Sequence, residues 1–353
     1  MREFLIFVFV VLLVVALAVA GVVYYQVHFA RSPIQRSAGG APVEVVFEVQ
    51  AGESTAEIAQ HLADQGLIRS ASLFQVWARI RRMDGRLEAG RYTLRSDMTM
   101  DQILEQLTHA PENREIIFTT VEGLRLEEMA ASLEKQGVCS AADFLAAVQQ
   151  SYDYDFLADR PAGATLEGYL FPDTYSVLST YTATRVVNLM LEDFGRRLTP
   201  EMRRQARERG LTIHDLITLA SIVDKEAVLD EERPIIASVY LNRLAAEMPL
   251  QACPTAQYAL GYDPETGRWW RELDFGQLGV TNLAEIDHPY NTYRYQGLPP
   301  GPICSPGLAS MMAVLEPAET DYYYFVAKND GSNEHAFART LEEHNANIAR
   351  YQP

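Results

Sequence analysis

Residues 47–66 read FEVQAGESTAEIAQHLADQG, and residues 118–137 read FTTVEGLRLEEMAASLEKQG. The two stretches align without a gap and share seven identical positions, each pair separated by 71 residues. In each stretch a strand-like segment leads through a glycine to a segment whose apolar residues have helical spacing. The pattern predicts a duplicated strand–turn–helix unit, although any strand–glycine–helix unit shares part of it.

The first copy carries signals for the ends of its elements. Apolar and polar residues alternate over 43–50, which predicts a strand. Ser54 and Glu57 have the spacing of a capping box, and Gly66 is placed to end the helix that they open. A second capping pair opens a helix over residues 100–107.

Beyond residue 140, helical segments alternate with loops rich in proline and aromatic residues. The run YYYFVA at 322–327 predicts a buried strand, because aromatic and β-branched residues favour strands over helices. Helices are predicted at 141–150, 183–198, 200–209, 213–227 and 234–246. The sequence therefore predicts an α+β fold.

The composition limits the kinds of protein that this chain can be. With 353 residues the chain is long enough for about two domains. Its hydrophobic content of 48% suits a globular protein with an ample core. The formal net charge of −17 gives a surface that repels phosphate backbones, which argues against a nucleic-acid partner. A glycan ligand is compatible with this charge, because hydrogen bonds and stacking hold glycans.

No metal or cofactor is predicted. Cys139, Cys253 and Cys304 are widely spaced, form no CxxC pair and leave one thiol over in any disulfide scheme. None of the seven histidines has a ligand spacing such as HExxH.

Residues 4–25 form an uncharged run, FLIFVFVVLLVVALAVAGVVYY, which is long enough for a spanning helix. The alternative is a cleaved signal peptide, because Ala16, Ala18 and Ala20 supply small residues for a cleavage site. The run continues apolar beyond these alanines and closes on two tyrosines, which favours an uncleaved anchor. Flanking charges do not fix its orientation, but either interpretation places the body of the chain outside the cytoplasm.

The segment LTIHDLITLASIVDKEAV at 211–228 carries the main candidate for chemistry. Glu226 follows Leu219, Ile222 and Val223 at helical spacing, so it projects from an apolar stripe. Desolvation and the negative end of the helix dipole would both raise the pKa of this carboxyl, as a general acid requires. The alternatives are a solvated glutamate or one that is paired with Arg233 or Arg243.

Glu226 also closes the run LASIVDKE at 219–226, which resembles the LASIVEKE signature of the YceG-like (MltG) family of endolytic murein transglycosylases. Further segments resemble that family in the same order, and together they cover nearly the whole chain as far as Asn345. They are EGYLFPDTY (167–175), ASVYLNRL (237–244), LQ (250–251), PT (254–255), YNTY (290–293), GLPPGP (297–302), SPG (305–307), YFVA (324–327), His335 with Phe337, and EHN (343–345). The first repeat unit is similar to the LysM-like subdomain of the family.

Two positions depart from the family pattern. Asp224 stands where the signature has its first glutamate, and Cys253 replaces the aspartate of LQTDPT. The second of these departures could alter the shape of the cleft or the preferred strand. The acid itself, Glu226, is retained.

The resemblance implies a mechanism with one carboxyl group. Glu226 would protonate the glycosidic oxygen beyond MurNAc, and the ionised group would then take the proton of the C6 hydroxyl as it closes a 1,6-anhydro ring. An intramolecular nucleophile replaces the second carboxylate that glycoside hydrolases use.

Supporting residues are expected in the matched loops. Glu167, Gln251 and Asn291 would bind sugar hydroxyl or N-acetyl groups, and Tyr169, Tyr290 and Tyr293 would stack on sugar faces, with core packing as the alternative for each aromatic ring. Other residues could also lie in the cleft, although a structural role is the simpler interpretation. These are His335, Trp269 and Trp270.

The sequence thus predicts a cytoplasmic N-terminus (1–3), a transmembrane helix (4–25), a linker (26–42), a LysM-like module (43–110) and a mixed α/β YceG-like catalytic domain (111–353). The chain would be a single-pass protein of the inner (cytoplasmic) membrane, with its catalytic domain on the periplasmic side. Glycan strands would be its substrate, and cell-wall synthases are candidate partners. The alternative is a non-catalytic peptidoglycan-binding or scaffold protein, which would leave Glu226 on an apolar stripe unexplained.

Overall fold

The computed structural model describes residues 24, 28–33, 44–109 and 115–352. The predicted membrane segment at 4–25 lies outside these ranges except for Tyr24, and most of the predicted linker at 26–42 does too. Among the helices of the described ranges, none combines the length and apolarity that a membrane span needs. Contacts within the chain divide it into two compact units, residues 1–115 with 178–182 and residues 116–177 with 183–353.

The first unit has the element order β-α-α-β-α. Strand β1 (Glu44–Val49) pairs antiparallel with β2 (Gly90–Arg95). Helices α1 (Thr55–Asp64) and α2 (Ala71–Ile80) lie between the two strands in the chain, and α3 (Met100–Leu107) follows them. The core includes Phe47, Ile58, Leu62, Phe74, Leu94 and Leu104. The apolar face of α1 is therefore buried.

The second unit opens with the other copy of the repeat. Strand β3 (Glu115–Thr119) and helix α4 (Leu126–Lys135) begin 71 residues after β1 and α1. The turn glycines of the two copies, Gly52 and Gly123, have φ of +84° and +76°, a left-handed conformation that side chains rarely adopt. The two sequences thus fold into equivalent strand–turn–helix units, and the predicted duplication is confirmed in structure.

Both copies then continue in the same order. A serine caps the next helix in each, Ser70 before α2 and Ser140 before α5 (Ala141–Ala147). In the second unit the closing strand, β4 (Thr174–Leu178), comes only after a longer segment and pairs with β3. The duplicated unit is therefore longer than the sequence indicated and includes a second helix and a second strand.

The remainder of the second unit is mainly helical. Its helices are α6 (Ala183–Arg197), α7 (Pro200–Glu208), α8 (Ile213–Glu226), α9 (Arg233–Ala245), α10 (Cys253–Leu260), α11 (Phe275–Leu278), α12 (Leu308–Leu315) and α13 (Leu341–Tyr351). A hairpin of β5 (Tyr324–Ala327) and β6 (His335–Ala338) lies before α13, which packs on it. The helices predicted at 183–198, 200–209, 213–227 and 234–246 are confirmed to within one residue at each end.

Helix α8 is the central element of this unit. Its residues from Leu216 to Val223 are buried on all sides, and it packs against α9 and α12. The sequence predicted one apolar stripe, whereas a helix that is buried all round belongs to the interior of a domain. Polar Thr218 and Ser221 are accommodated because their hydroxyls donate to backbone carbonyls one turn earlier, at 2.7 Å each.

Candidate active site

Glu226 is the last residue of α8, at the point where the buried helix reaches the wall of a cavity. Thr212 caps the start of the helix, and its hydroxyl accepts a hydrogen bond from the backbone N–H of Asp215 at 3.0 Å. The helix ends because Ala227 is extended, with ψ of 123°. The Glu226 side chain is half-buried and lines a cavity of about 440 Å³ within the second unit.

The two residues before Glu226 fix the end of the helix. The side chain of Asp224 is buried, and its Oδ1 accepts hydrogen bonds from the Ser310 hydroxyl at 2.6 Å and from the Gly307 N–H at 3.3 Å. The ammonium group of Lys225 lies 4.0 Å from the ring centroid of Trp270. Successive residues thus hold the helix from different sides and fix the direction of the next one, Glu226.

Tyr240 on α9 contacts Glu226 directly. Its hydroxyl donates a hydrogen bond of 2.9 Å to Oε1 of Glu226. The tyrosine ring is almost fully buried and meets Phe325 edge to face at 5.8 Å. The cavity is lined by Glu226, Tyr240, Arg243, Leu250, Gln251, Cys253, Tyr293, Phe325, Val326, Ala327, His335, His344, Ile348 and Gln352.

The pKa of Glu226 is raised above the ordinary value of a glutamate, and burial is the largest cause. The hydrogen bond from Tyr240, the nearby His335 and the backbone N–H of Cys253 each oppose this shift. The raised pKa leaves more of the carboxyl group protonated near neutral pH, which a general acid needs.

The cations that could have neutralised Glu226 are engaged elsewhere. Arg233 contacts Asp224, Asp230 and the Ser310 hydroxyl. Arg243 is buried and donates to backbone carbonyls of nearby loop residues, including that of Leu250 at 2.8 Å. Glu226 therefore lies beside a neutral phenol and has no ion pair with either arginine.

Arg243 also shapes the loop that carries Gln251. Its guanidinium donates to the carbonyls of Pro249, Leu250 and Tyr323, which ties the loop to the start of β5. Gln251 has a positive φ of +50°, a strained conformation for a residue with a side chain. Its side chain is exposed and lines the cavity, together with Tyr293.

Cys253, at the start of α10, brings a thiol to the same wall. Its sulfur lies 3.1 Å from the hydroxyl of Tyr293. Burial raises the pKa of this thiol, and the neighbouring Glu226 raises it further. The position that departs from the family pattern thus lies next to the candidate acid.

His335, the first residue of β6, lines the cavity and is held by a carboxylate. Its Nδ1 lies 2.6 Å from Oε2 of Glu232, and its backbone N–H donates to Oε1 at 2.8 Å. Both side chains are more than 90% buried. Sequence reasoning missed Glu232, because it lies 103 residues from His335 in a run of acidic residues that predicts a solvated surface.

Three of the proposed substrate-binding residues lie outside the set that lines this cavity. Tyr169 is fully buried, and its hydroxyl lies 2.8 Å from Nδ1 of His214. Asn291 is fully buried and donates to the carbonyls of Leu283 and Ile286. In these positions Tyr169 contacts the first turn of α8, at the opposite end from Glu226, and Asn291 holds the chain at Leu283 and Ile286.

Glu167 is the third of them. It accepts hydrogen bonds from the Leu126 N–H at 3.3 Å and from the Tyr258 hydroxyl at 3.5 Å. Burial raises the pKa of Glu167 to about 8, with a further increase from Glu127. The raised pKa favours the protonated form of this side chain, which lies in the interior of the unit.

The chain is similar to several known proteins over most of its length. The family model described as YceG-like matches residues 47–350. A Bacillus subtilis protein named endolytic murein transglycosylase is 30% identical over 336 residues, which cover 92% of this chain and 89% of that protein. A Streptococcus pneumoniae protein with the same name is 30% identical over 87% of this chain, which spans 58% of the longer relative.

A solved structure is similar too. The 2.6 Å crystal structure of a yceG-like protein from Listeria monocytogenes superposes with a TM-score of 0.54 at 31% identity. The match covers 87% of this chain and 99% of the other. On the extent of the family match and of these similarities, the chain belongs to the YceG-like family.

Proposed function

We propose that this chain is a peptidoglycan lytic transglycosylase in which Glu226 is the general acid. The observation that carries the proposal is the place of that carboxyl group, at the end of a buried helix, with a raised pKa and on the wall of a cavity of about 440 Å³. The relatives named endolytic murein transglycosylase support the reaction class and the substrate.

The reaction proceeds from the protonated form of Glu226. The carboxyl group gives its proton to the oxygen that links MurNAc to the next sugar, and the C1–O bond breaks as positive charge develops at C1. The C6 hydroxyl of the same MurNAc then attacks C1 and forms the 1,6-anhydro ring. Because this nucleophile is part of the substrate, no water is consumed. One carboxyl group is sufficient for both proton transfers, since Glu226 is ionised after the first.

The cavity walls suit an amphipathic sugar. Tyr293 and Phe325 offer ring surfaces, and Gln251 offers a side-chain amide. These groups would hold the MurNAc ring against Glu226. Tyr240 would keep the carboxyl group oriented through its hydrogen bond of 2.9 Å.

The test compares the full chain with Glu226→Gln on isolated glycan strands in detergent. The active protein should release ends that carry 1,6-anhydroMurNAc, detected by mass spectrometry, and Glu226→Gln should lower that rate by a factor of about 10³ or more. Glu231→Gln is the matched control, because it makes the same substitution at an exposed position shortly after Glu226 in the sequence.

Other results would reject the proposal. Reducing MurNAc ends from the unaltered chain would indicate a hydrolase. Strands that stay uncut while the protein still sediments with them would indicate a binding or scaffold protein.

We further propose that residues 4–25 anchor the chain in the inner membrane as a single span, with both units on the periplasmic side. The support is the length of the uncharged run. The strand–helix–helix–strand order of the first unit supports a LysM-like role in holding glycan near the membrane, where cell-wall synthases would work beside it. Membrane fractions should retain the full chain after alkaline extraction and lose it when residues 1–25 are deleted.

A further inference from the structure

The pair of His335 and Glu232 is a second ionisable unit at the cavity, and the proposed mechanism makes no use of it. A carboxylate oxygen can only accept, so at 2.6 Å from Oε2 of Glu232 the Nδ1 atom of His335 is the donor. In the neutral ring this fixes Nε2 as the unprotonated nitrogen. An accepting Nε2 is the feature that makes a histidine a general base.

The residues around His335 fix the orientation of its ring as well as its tautomer. Glu232 accepts from both the ring and the backbone of His335, so the carboxylate cannot rotate without losing a hydrogen bond. Phe325 contacts the ring edge to face at 5.3 Å. A base that is held in this way loses little entropy when a substrate hydroxyl arrives.

Glu226 has a constraint that a second base would remove. One of its two oxygens, Oε1, accepts a hydrogen bond from Tyr240. With one carboxyl group, Glu226 must give a proton to the leaving sugar and then collect another from the C6 hydroxyl. If a second group accepts the C6 proton, the two transfers can occur together, which avoids building a full charge on either sugar oxygen.

We infer that His335 is the general base of the ring-closing step, with Glu232 as its positioning residue. The inference rests on the proposed function and divides its two proton transfers between two residues. Nε2 of His335 takes the proton of the C6 hydroxyl, O6 forms its bond to C1, and the C1–O bond to the next sugar breaks as Glu226 protonates the leaving oxygen. The imidazolium is paired with Glu232, and its proton returns to Glu226 before the next turnover.

The other titratable groups that face this pair do not supply the same function. Those lining the cavity are Tyr240, Arg243, Cys253, Tyr293 and His344. Burial raises the pKa of the phenols and of the thiol, and lowers the pKa of His344. In contrast to His335, which contacts Glu232, His344 stacks on Tyr324 at 5.2 Å and contacts no carboxylate of the described residues.

The experiment measures kcat, KM and the chemistry of the new ends for the full chain with His335→Ala and His335→Asn. Loss of the base should lower kcat by about 100-fold with KM within about threefold. It should also raise the share of reducing MurNAc ends, because the C6 hydroxyl is then deprotonated more slowly, by Glu226 alone, and water competes with it. Added imidazole should restore activity to His335→Ala at least about tenfold and leave the unaltered chain unchanged.

His335→Asn keeps a donor for Glu232, and it tests the role of His335 as the base if His335→Ala does not fold. A folded variant that keeps kcat within threefold and makes only anhydro ends would overturn the inference. Activity lost without imidazole rescue and without reducing ends would also overturn it, because that result indicates a structural role. Glu226→Gln separates the two proposals, since an active Glu226→Gln rejects the proposed function itself.

Discussion

The hydroxyl of Tyr240 donates a hydrogen bond of 2.9 Å to Oε1 of Glu226, and the tyrosine is almost fully buried in the wall of the same cavity. The bond joins the last residue of α8, Glu226, to the middle of α9, where Tyr240 lies. It also lowers the pKa of Glu226 against the larger effect of burial, which raises it. The tyrosine therefore orients the acid and partly offsets the effect of burial on its pKa.

Tyr240→Phe should raise the pKa of Glu226, because it removes a donor that favours the anion. A general acid is active while protonated, so the fall of kcat at alkaline pH should move to higher pH. We expect kcat at its optimum to fall about tenfold, as the carboxyl group loses its fixed orientation. Rate profiles from pH 5 to 9 measure both effects, and an alkaline limb at unchanged pH would contradict the role of this hydrogen bond.

Asp224 has a structural role beside the acid. It accepts from Ser310 and Gly307 and pairs with Arg233, and its own side chain is buried. Asp224→Ala should lower the free energy of unfolding by about 3 kcal/mol, since it leaves buried donors without an acceptor. Denaturant unfolding measures the loss. The control is Asp230→Ala, which removes the exposed partner of Arg233 and should cost about 0.5 kcal/mol.

Helix ends were the part of the fold that the sequence predicted best, because local signals specify them. The capping box at Ser54 and the one that opens the helix over 100–107, at Thr99, form as their spacing predicts. At Arg125, which stands where the first copy has Ser54, only half of the box forms, because arginine cannot accept. Strand β2 was not predicted, since GRYTLR alternates weakly and its pairing with β1 depends on contacts distant in sequence.

The residues of the candidate site also differ in whether a local sequence signal identifies them. Glu226 was identified from its spacing on one helix and from a motif. Glu232 gave no signal, because its function depends on His335, which the fold brings to it from 103 residues away. Asn291 and Tyr169 lie in recognisable motifs, but a motif does not distinguish a side chain that contacts the ligand from one buried behind it.

Gly168 and Gly163 form a matched pair of substitutions. Both have a left-handed backbone, with φ of +84° and +82°. A Cβ at Gly168 would lie 2.4 Å from Cβ of Pro302, whereas a Cβ at Gly163 would meet nothing within 4 Å. Gly163→Ala should cost about 1 kcal/mol for the backbone alone. Gly168→Ala should cost at least about 3 kcal/mol more or prevent folding, and equal melting temperatures would contradict the close approach.

Glu167 should make the stability of the protein depend on pH. Its pKa in the folded state is about 8, above the ordinary value of 4.5 in the unfolded chain. The folded state therefore binds the proton more tightly, so the stabilisation is fully present below about pH 4.5 and is lost as the pH rises to about 8.

Glu167→Gln keeps the shape of the side chain and removes its titration. Denaturant unfolding of both proteins at pH 5 and pH 8 gives the comparison, in which other titrating groups cancel. The unaltered chain should lose on the order of 1 kcal/mol per pH unit more than the variant across this window. The same decline in both proteins would show that Glu167 is already ionised in the fold.

The thiol of Cys253 offers a direct test of charge beside the acid. Cys253 lines the cavity, and Glu226 raises the pKa of its thiol, so the two groups interact electrostatically. Cys253→Asp would place a second carboxylate there, as the YceG-like pattern LQTDPT has. A like charge disfavours ionisation of Glu226 and should raise its pKa. Activity should then persist to a higher pH, with the alkaline limb of kcat displaced upward by about one pH unit.

Cys253→Asn has the same shape as Cys253→Asp without the charge and should leave the alkaline limb near its original pH. Rate profiles of the three proteins at low and high salt would measure the shift, and coincident limbs for the Asp and Asn variants would show that position 253 does not act on Glu226 through its charge.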